Sequence, residues 1–323
     1  MNLNDAVNEA KFAIEYISAK SDAKHRSLIG LFNDPVEDNI RILNEYLIEE
    51  GHDTYLINCS NYRCMIRNIK NTELFICGSG GVNCSGKSMP RRLNYRLPKA
   101  AKWVDTWHGV SIEWPSVHNR ASMISKYYDL AFTSSAFYYD LTIGFENGVN
   151  KAANNALRTK VTGYPRHDLI DVSSKPYDIV LYAPSWNNDK VKGGSGGLLD
   201  NKIIEVLNNI CNAANKTLVV ARHVADKKVV RKLNNVTYID REMYPTLTKY
   251  LNYADVLITD YSSIAADFAL LHRPIIFTDR GYDRSSFVVP LEQRGGYVVS
   301  NHNELYNVLR AVLDKPAPAP GLS

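Results

Sequence analysis

The stretch DVLITDYSSIAADFALLHRPIIF, residues 255–277, decides the fold of this chain. Its pattern predicts an apolar strand that ends at Asp260, a turn that carries Ser262 and Ser263, a helix, and a second apolar strand. A helix between two such strands is typical of a βαβ unit with parallel strands. The amides at the helix start and the two hydroxyls favour an anion such as a phosphate. The alternative is that Ser262 only caps the helix, as serine commonly does.

The same alternation of strands and helices extends outward from this stretch in two blocks. In the first block the pattern predicts a helix at 35–50 and strands at 27–32, 54–59, 73–78, 100–109, 130–135 and 160–165. In the second it predicts helices at 198–215, 226–233, 243–254 and 262–272 between strands at 178–184, 217–223, 236–240, 255–260 and 274–279. The segment DVSSKPY at 171–177 between the blocks has the composition of a linker. We therefore expect an α/β fold of two Rossmann-like domains with a cleft between them, at 1–170 and 171–315, and a Pro/Ala tail at 316–323.

Length and composition agree with a globular protein of two domains. The chain has 323 residues, 45% hydrophobic and 22% charged, which excludes a mainly disordered or coiled-coil protein. The net charge of +4 suits a phosphate-bearing ligand and is too small to indicate nucleic-acid binding. The five cysteines form no CxxC pair, which favours reduced thiols and no zinc site.

The N-terminal region suggests where the protein acts. The sequence has no apolar run long enough to span a membrane and no secretion signal at its start, so we expect a cytoplasmic protein. Residues 4–20 form an amphipathic pattern that we expect to be a helix packed on the first domain. The alternative is a peripheral position of this helix on the inner face of the plasma membrane.

The segment GVNCSGKS at 81–88 matches the phosphate-loop pattern G-x-x-x-x-G-K-[ST]. That pattern works only where a helix begins at the Lys-Ser pair, and the polar segment that follows, which lies between Pro90 and Pro98, lacks an apolar stripe. We therefore interpret it as a basic loop, in which Lys87 and Arg91 suit an anionic acceptor. A nucleotide hydrolase is the alternative that this motif leaves open.

Two histidines lie at the C-terminal ends of predicted strands, where open α/β sheets bind ligands. His108 lies in Trp107-His108-Gly109, and its near-neutral pKa range suits removal of a proton from a hydroxyl. Arg222 and His223 follow a strand of the second block, and both can donate to phosphate oxygens. The alternative for a single histidine is a hydrogen-bonded structural role.

Several motifs in this order resemble the CDP-glycerol glycerophosphotransferases, the primases and polymerases of teichoic acid synthesis and related capsule polymerases. They are WHG (107–109), GYPRHD (163–168), LYAPSW (181–186), RH (222–223), the stretch at 255–277 and RGGY (294–297). The resemblance implies a GT-B fold, no metal or other cofactor in the chemistry, and a CDP-glycerol or CDP-ribitol donor. It implies transfer of the alditol phosphate to a hydroxyl of a glycan or undecaprenyl-linked acceptor, with release of CMP.

The same resemblance implies roles for individual residues. His108 would deprotonate the acceptor hydroxyl, and His223 with Arg222 would neutralise charge on the donor diphosphate. Ser262 and Ser263 would hold the diphosphate. Ser185 and Asp260 would line the nucleotide site, while Lys87, Arg91 and Glu113 would lie on the acceptor side.

The chain departs from the family pattern at three places. Val110 to Trp114 follow the WHG motif where the family usually has Thr-Pro-Leu-Lys, Asn187 replaces an arginine, and Val224 replaces a proline. Loss of a lysine and an arginine near an anionic substrate should change which phosphate or sugar is bound. Two alternatives therefore stay open: a GT-B glycosyltransferase that uses a CMP- or UDP-sugar, and a non-catalytic lobe that binds a cell-wall polymer or lipid.

Overall fold

The structure is a computed structural model. It describes residues 28–32, 38–57, 71–78, 101–107, 109–110, 117, 121, 124, 128–144, 158–185, 201–221, 232–239, 247–279 and 284–314. These residues divide into two compact units, the first within 1–108 and 117–166 and the second within 109–116 and 167–323. Outside the described residues lie the predicted helix at 4–20, the C-terminal tail at 316–323 and residues 226–231 of the predicted helix at 226–233. Residues 232 and 233 are described and are not helical.

The first unit contains a six-stranded parallel sheet. Its strands are β1 (Leu28–Phe32), β2 (Asp53–Ile57), β3 (Thr72–Cys77), β4 (Lys102–Asp105), β5 (Leu130–Thr133) and β6 (Thr159–Val161). They lie in the order β2-β1-β3-β4-β5-β6, and every pairing is parallel. Its described helices are α1 (Asp38–Glu49) and α2 (Ala136–Gly144). A short 3-10 helix at Pro165–Leu169 contains the point where the chain passes from the first unit into the second.

The second unit contains another six-stranded parallel sheet. Its strands are β7 (Ile179–Tyr182), β8 (Thr217–Ala221), β9 (Val236–Ile239), β10 (Ala254–Thr259), β11 (Ile275–Thr278) and β12 (Tyr297–Val299). They lie in the order β12-β11-β10-β7-β8-β9, which is the strand order of a dinucleotide-binding Rossmann domain. Its described helices are α3 (Asn201–Ala213), α4 (Leu247–Tyr253), α5 (Ile264–Ala269) and α6 (His302–Asp314).

Both faces of the second sheet are buried, which explains the continuous apolar runs in its strands. Along β7, Leu181 packs into the core on one face, whereas Val180 and Tyr182 pack into the core on the other. The first core includes residues of α4 and α5, and the second includes residues of α3 and α6. The first sheet packs in part against α1 through Ile40. Successive apolar residues of each strand therefore pack in alternation against the two helical layers of the second sheet.

The predicted parallel α/β architecture is confirmed, with shifts at the ends of elements. The predicted helix at 262–272 is shorter and spans only Ile264–Ala269, because the chain turns at 270–272 before β11. The predicted strand at 100–109 is limited to Lys102–Asp105. Three elements were not predicted, namely α2, β12 and α6. Within the described part of the chain, none of the helices has the length and apolar character that crossing a membrane requires.

Candidate functional site

The strand order of the second sheet reverses direction between β7 and β10. β8 and β9 lie on one side of β7, and β10, β11 and β12 lie on the other. In open α/β sheets, ligands bind outside the carboxyl ends of the two strands at such a reversal. β7 ends at Tyr182 and leads to Ser185, and β10 ends at Thr259 and leads to Asp260. The sheet therefore brings two of the predicted site residues to the position that favours a ligand.

Asp260 lies at the centre of this position and is completely buried. One carboxylate oxygen, Oδ1, accepts hydrogen bonds from the backbone N–H of Ser185 at 2.9 Å and of Ser262 at 3.2 Å. The other oxygen, Oδ2, accepts a hydrogen bond of 2.9 Å from the Ser185 hydroxyl. Burial raises the pKa of Asp260, and these bonds from Ser185 and Ser262 oppose the rise. The carboxylate therefore joins the loop after β7 to the turn after β10.

Ser262 and Ser263 lie in the turn between Asp260 and α5, and both are half-buried. The Ser262 Oγ accepts a long hydrogen bond of 3.4 Å from the backbone N–H of Ile264. Ser263 occupies the N-cap position of α5 and makes no side-chain capping bond there. Helix capping, the alternative role of Ser262, therefore rests on one long hydrogen bond. The side chain of Ser263 does not cap the helix. The Ser262 bond uses a lone pair, so the hydroxyl proton stays available for an acceptor such as a phosphate oxygen.

An aromatic stack supports the turn from the side. The ring of Tyr261 lies parallel to that of Phe287, with centroids 4.7 Å apart and an interplanar angle of 5°. The guanidinium of Arg294 lies 5.1 Å from the centre of the Phe287 ring and donates from Nε to the Val289 carbonyl. The Tyr261 hydroxyl donates to Asp279 at 3.2 Å. This stack fixes the residue directly between Asp260 and Ser262.

The RGGY motif has a packing reason in the same region. Gly295 adopts a φ of +70°, which glycine tolerates best. At Gly296 an added Cβ would lie 2.8 Å from the carbonyl oxygen of Ile275 and 2.7 Å from the ring of Phe277. Both positions therefore favour glycine, and the motif lets the chain pass directly against β11.

A histidine–carboxylate pair was not predicted from the sequence. His167, in the 3-10 helix, lies with Nε2 2.9 Å from Oδ1 of Asp267 on α5. The side chain of Asp267 is 6% exposed and that of His167 is 19% exposed. The pair anchors α5, the helix that begins next to Ser263. The motif GYPRHD contains His167, but no local pattern in the sequence indicates that it meets a residue 100 positions away.

Four of the ten predicted site residues are described. The structure brings Ser185, Asp260 and Ser262 together through direct hydrogen bonds, and Ser263 follows in the same turn. The other predicted residues lie outside the described part of the chain, so their roles stay predictions: His108, His223, Arg222, Lys87, Arg91 and Glu113. The phosphate-loop pattern at 81–88 also lies outside it. Within the described ranges, no group of three or more His, Cys, Asp or Glu side chains could hold a metal ion.

Comparison with protein families identifies the chain. The model of the CDP-glycerol:poly(glycerophosphate) glycerophosphotransferases matches residues 85–318, more than two thirds of the sequence. The chain belongs to this glycerophosphotransferase family. The match confirms the resemblance seen in the sequence motifs.

Curated relatives agree with membership in the glycerophosphotransferase family. A teichoic acid poly(glycerol phosphate) polymerase of Bacillus subtilis (strain 168) is 28% identical over 214 residues, 58% of this chain and 28% of the relative. A teichoic acid glycerol-phosphate transferase of Staphylococcus aureus (strain NCTC 8325 / PS 47) is 24% identical over 252 residues, 68% of this chain and 64% of the relative. The chain thus spans less than two thirds of the length of these relatives.

Solved structures with a similar fold include a teichoic acid polymerase and an epimerase. A variant of the wall teichoic acid polymerase TagF, soaked with CDPG, has a TM-score of 0.69 at 16% identity and covers 97% of this chain and 87% of its own. A UDP-N-acetylglucosamine 2-epimerase has a TM-score of 0.54 at 11% identity, over 91% and 88% of the two chains. At these identities the likeness concerns the fold, and it confirms the predicted GT-B class with two Rossmann-like domains.

Proposed function

We propose that this protein transfers glycerol phosphate or ribitol phosphate from a CDP-activated donor to an acceptor hydroxyl and releases CMP. The observation that carries the proposal is the pairing of Ser185 with Asp260 at the reversal point of the second sheet, beside the turn that carries Ser262 and Ser263. Family membership supplies the class of donor. Together they support a transferase with a nucleotide-diphosphate site on the second unit.

The polar groups of the turn suit a diphosphate. Phosphate oxygens at neutral pH are mainly hydrogen-bond acceptors, so a diphosphate site needs donors. The hydroxyls of Ser262 and Ser263 are such donors. The Ser185 hydroxyl donates a hydrogen bond to Asp260. Its oxygen can therefore accept a hydrogen bond from an N–H or O–H group of the nucleoside. Asp260 is buried, so its contribution to donor binding is to hold Ser185 and the turn in place.

The remaining charge on the donor is neutralised by residues that follow β8, the strand next to β7. Arg222 and His223 come directly after Ala221, the last residue of β8. A guanidinium and a protonated imidazole both stabilise the negative charge that develops as CMP leaves. These two residues therefore complete the donor site in the proposal.

The transfer itself is a single displacement at phosphorus. His108 accepts the proton of the acceptor hydroxyl, whose oxygen attacks the alditol-side phosphorus of the donor. A new phosphorus–oxygen bond forms to the acceptor, the bond to the bridging oxygen breaks, and that electron pair leaves with CMP. Positioning and charge stabilisation account for most of the rate in such reactions, so no cofactor or metal is required.

The two domains divide the substrates between them. The domain at 1–170 holds the acceptor, with Lys87, Arg91 and Glu113 on that side, and the domain at 171–315 holds the CDP-alditol. A glycan or undecaprenyl-linked acceptor has its anionic groups near the inner face of the plasma membrane, where a cytoplasmic protein with a pI near 8.6 is attracted. The protein in this proposal is therefore cytoplasmic and peripheral to that surface.

A donor screen tests the class of reaction. Melting temperatures are measured with CDP-glycerol, CDP-ribitol, a CMP-sugar and a UDP-sugar, since a ligand that binds the native state raises them. CMP release is then measured with the stabilising donor and an alkyl glycoside acceptor that bears a glycerol phosphate. Stabilisation by a CDP-alditol together with acceptor-dependent CMP release supports the proposal. Stabilisation only by a nucleotide sugar supports a glycosyltransferase, and binding without CMP release supports a binding lobe.

Serine variants test the place of the donor. The variant with Ser262→Ala and Ser263→Ala should weaken CDP-alditol binding by about 10- to 100-fold, because two donors to charged oxygens are lost. Ser173→Ala is the matched control, since Ser173 is exposed and its hydroxyl bonds only within the linker, to Asp171. Equal donor affinity in the double variant and the control would contradict the proposed site.

A further inference from the structure

Asn39 is a completely buried amide near the start of α1, and it bonds two distant segments of the first unit. Its Nδ2 donates to the carbonyl oxygen of Trp107 at 2.9 Å. Its Oδ1 accepts the backbone N–H of Arg166 at 3.1 Å. These partners lie 68 and 127 residues away in the sequence. One side chain therefore joins the WHG segment to the GYPR segment.

Trp107 has an unusual backbone that needs such support. Its φ is +54°, in the left-handed region, which is unfavourable for residues other than glycine. Its N–H donates to Oδ1 of Asp105 at 3.2 Å, and its carbonyl accepts from Asn39 and, at 3.4 Å, from the hydroxyl of Thr106. Strained residues of this kind persist only where their surroundings hold them, and they cluster at functional sites.

The bond to the Trp107 carbonyl acts on the peptide group that joins Trp107 to the next residue in the sequence, His108. Because a peptide group is planar, fixing its oxygen restricts the orientation of the whole group. We propose that Asn39 is a positioning residue for the transfer reaction, which acts by fixing the carbonyl group of Trp107, the residue directly before His108 in the sequence. This inference rests on the proposed function, in which His108 is the base.

Two further observations concern the position of Asn39 and its partners in the chain. The second partner, Arg166, is the last residue of the first unit, at the point where the chain passes into the second. Asn39 thus links the segment before the proposed base to the connection between the units. It also lies outside the residues that the family model matches, so the part of the chain without family motifs supplies this contact.

The substitution Asn39→Asp separates the two bonds. A carboxylate has the shape of the amide and can still accept from Arg166, but once ionised it cannot donate to the Trp107 carbonyl. Because burial favours the protonated carboxyl, turnover is measured with rising pH until the effect of the substitution no longer changes. Asn44→Asp is the matched control on the same helix. Oδ1 of Asn44 accepts a hydrogen bond of 2.8 Å from the Thr54 hydroxyl, and a carboxylate at this position can accept the same bond.

We expect Asn39→Asp to lower kcat for CMP release at least about tenfold, as loss of a positioned group does. The dissociation constant for CDP-glycerol, measured by calorimetry, should stay within about twofold because the donor binds the second unit. Asn44→Asp should change neither. If Asn39→Asp does not yield folded protein, Asn39→Ser takes its place, because serine is neutral and its shorter side chain cannot span the two partners. There too kcat should fall and donor affinity should not.

The outcomes distinguish this inference from the proposed function. A wild-type protein that releases no CMP from any CDP-alditol overturns the proposed function, and the role of Asn39 with it. An active wild type with unchanged kcat in the Asn39 variant overturns the role of Asn39 alone. In the third outcome the donor affinity and the melting temperature of the variant fall, but its kcat is unchanged at temperatures where it is folded. That outcome would show that Asn39 only stabilises the first unit.

Discussion

Ser185 and Asp260 lie 75 residues apart in the sequence and are joined by two hydrogen bonds of 2.9 Å, from the N–H and from the hydroxyl of Ser185. The two residues follow β7 and β10, which are neighbours in the second sheet. A fully buried carboxylate thereby holds the loop after one strand against the turn after the other. The candidate donor site therefore forms because β7 and β10 are neighbours in the sheet. Substitution of single residues can test what each contributes to it.

Ser185→Ala should weaken both the fold and the binding of the donor. Removal of the hydroxyl leaves Oδ2 of Asp260 without this bond, which costs about 1–3 kcal/mol of unfolding free energy for a buried group. We also expect the dissociation constant for CDP-glycerol to rise about tenfold, the equivalent of about 1.4 kcal/mol. Urea unfolding and calorimetry measure the two effects. A variant as stable and as tightly binding as the wild type would contradict the coupling of Ser185 to Asp260.

His108→Ala tests the proposed base. Loss of a general base should lower kcat by roughly 10²- to 10⁴-fold and leave the affinity for CDP-glycerol almost unchanged. His52→Ala is the control, because His52 is exposed and lies in the same unit. Steady-state CMP release measures kcat for both. Turnover close to that of the wild type in His108→Ala would exclude this role for His108.

Phe287→Ala tests the aromatic support of the turn. Phe287 is 5% exposed and stacks on Tyr261, so truncation should cost about 3–5 kcal/mol of unfolding free energy. It should also weaken CDP-glycerol binding, because the turn loses its lateral contact. Phe137 is 49% exposed, and Phe137→Ala should change stability by less than about 0.5 kcal/mol. Similar losses in both variants, measured in urea, would show that the stack has no special importance.

Asp260 predicts a pH dependence of stability. Burial raises its pKa in the folded protein, so the native state binds the proton more tightly than the unfolded chain does. Its contribution to stability therefore falls as the pH rises from about 4 through the raised native pKa. Asp260→Asn removes this titration. The unfolding free energy of the wild type minus that of the variant should then decrease from about pH 4 toward neutrality. A difference that stays constant or increases would contradict the raised pKa.

The sequence predicted most strands because they are buried on both faces and therefore appear as continuous apolar runs. The sequence also contains local signals for α6. Leu305, Leu309 and Val312 lie at helical spacing on its buried side. Glu304 accepts the N–H of Ser300 at 2.7 Å and donates its own N–H to Asn301 at 2.9 Å, as in a capping box. This helix could have been predicted from its local pattern.

The helix α2 lacked such a pattern. Its sequence AFYYDLTIG is largely apolar with three adjacent aromatic residues, which have low helix propensity. Its start depends on a long hydrogen bond of 3.4 Å from the N–H of Tyr138 to the hydroxyl of Ser135. The helix connects β5 to β6 and contacts both strands, and the local sequence does not report those contacts.

The sequence by itself determined the class of fold and the chemical types at the site. Apolar runs alternating with helices require a parallel α/β architecture, and the stretch at 255–277 places hydroxyls and a carboxylate after one strand. Only the tertiary structure decided which residues meet. Ser185 reaches Asp260 because β7 pairs with β10, and Asn39 reaches Trp107 and Arg166. Strand order and long-range hydrogen bonds depend on packing of the whole sheet, because each strand alone has the same apolar pattern as its neighbours.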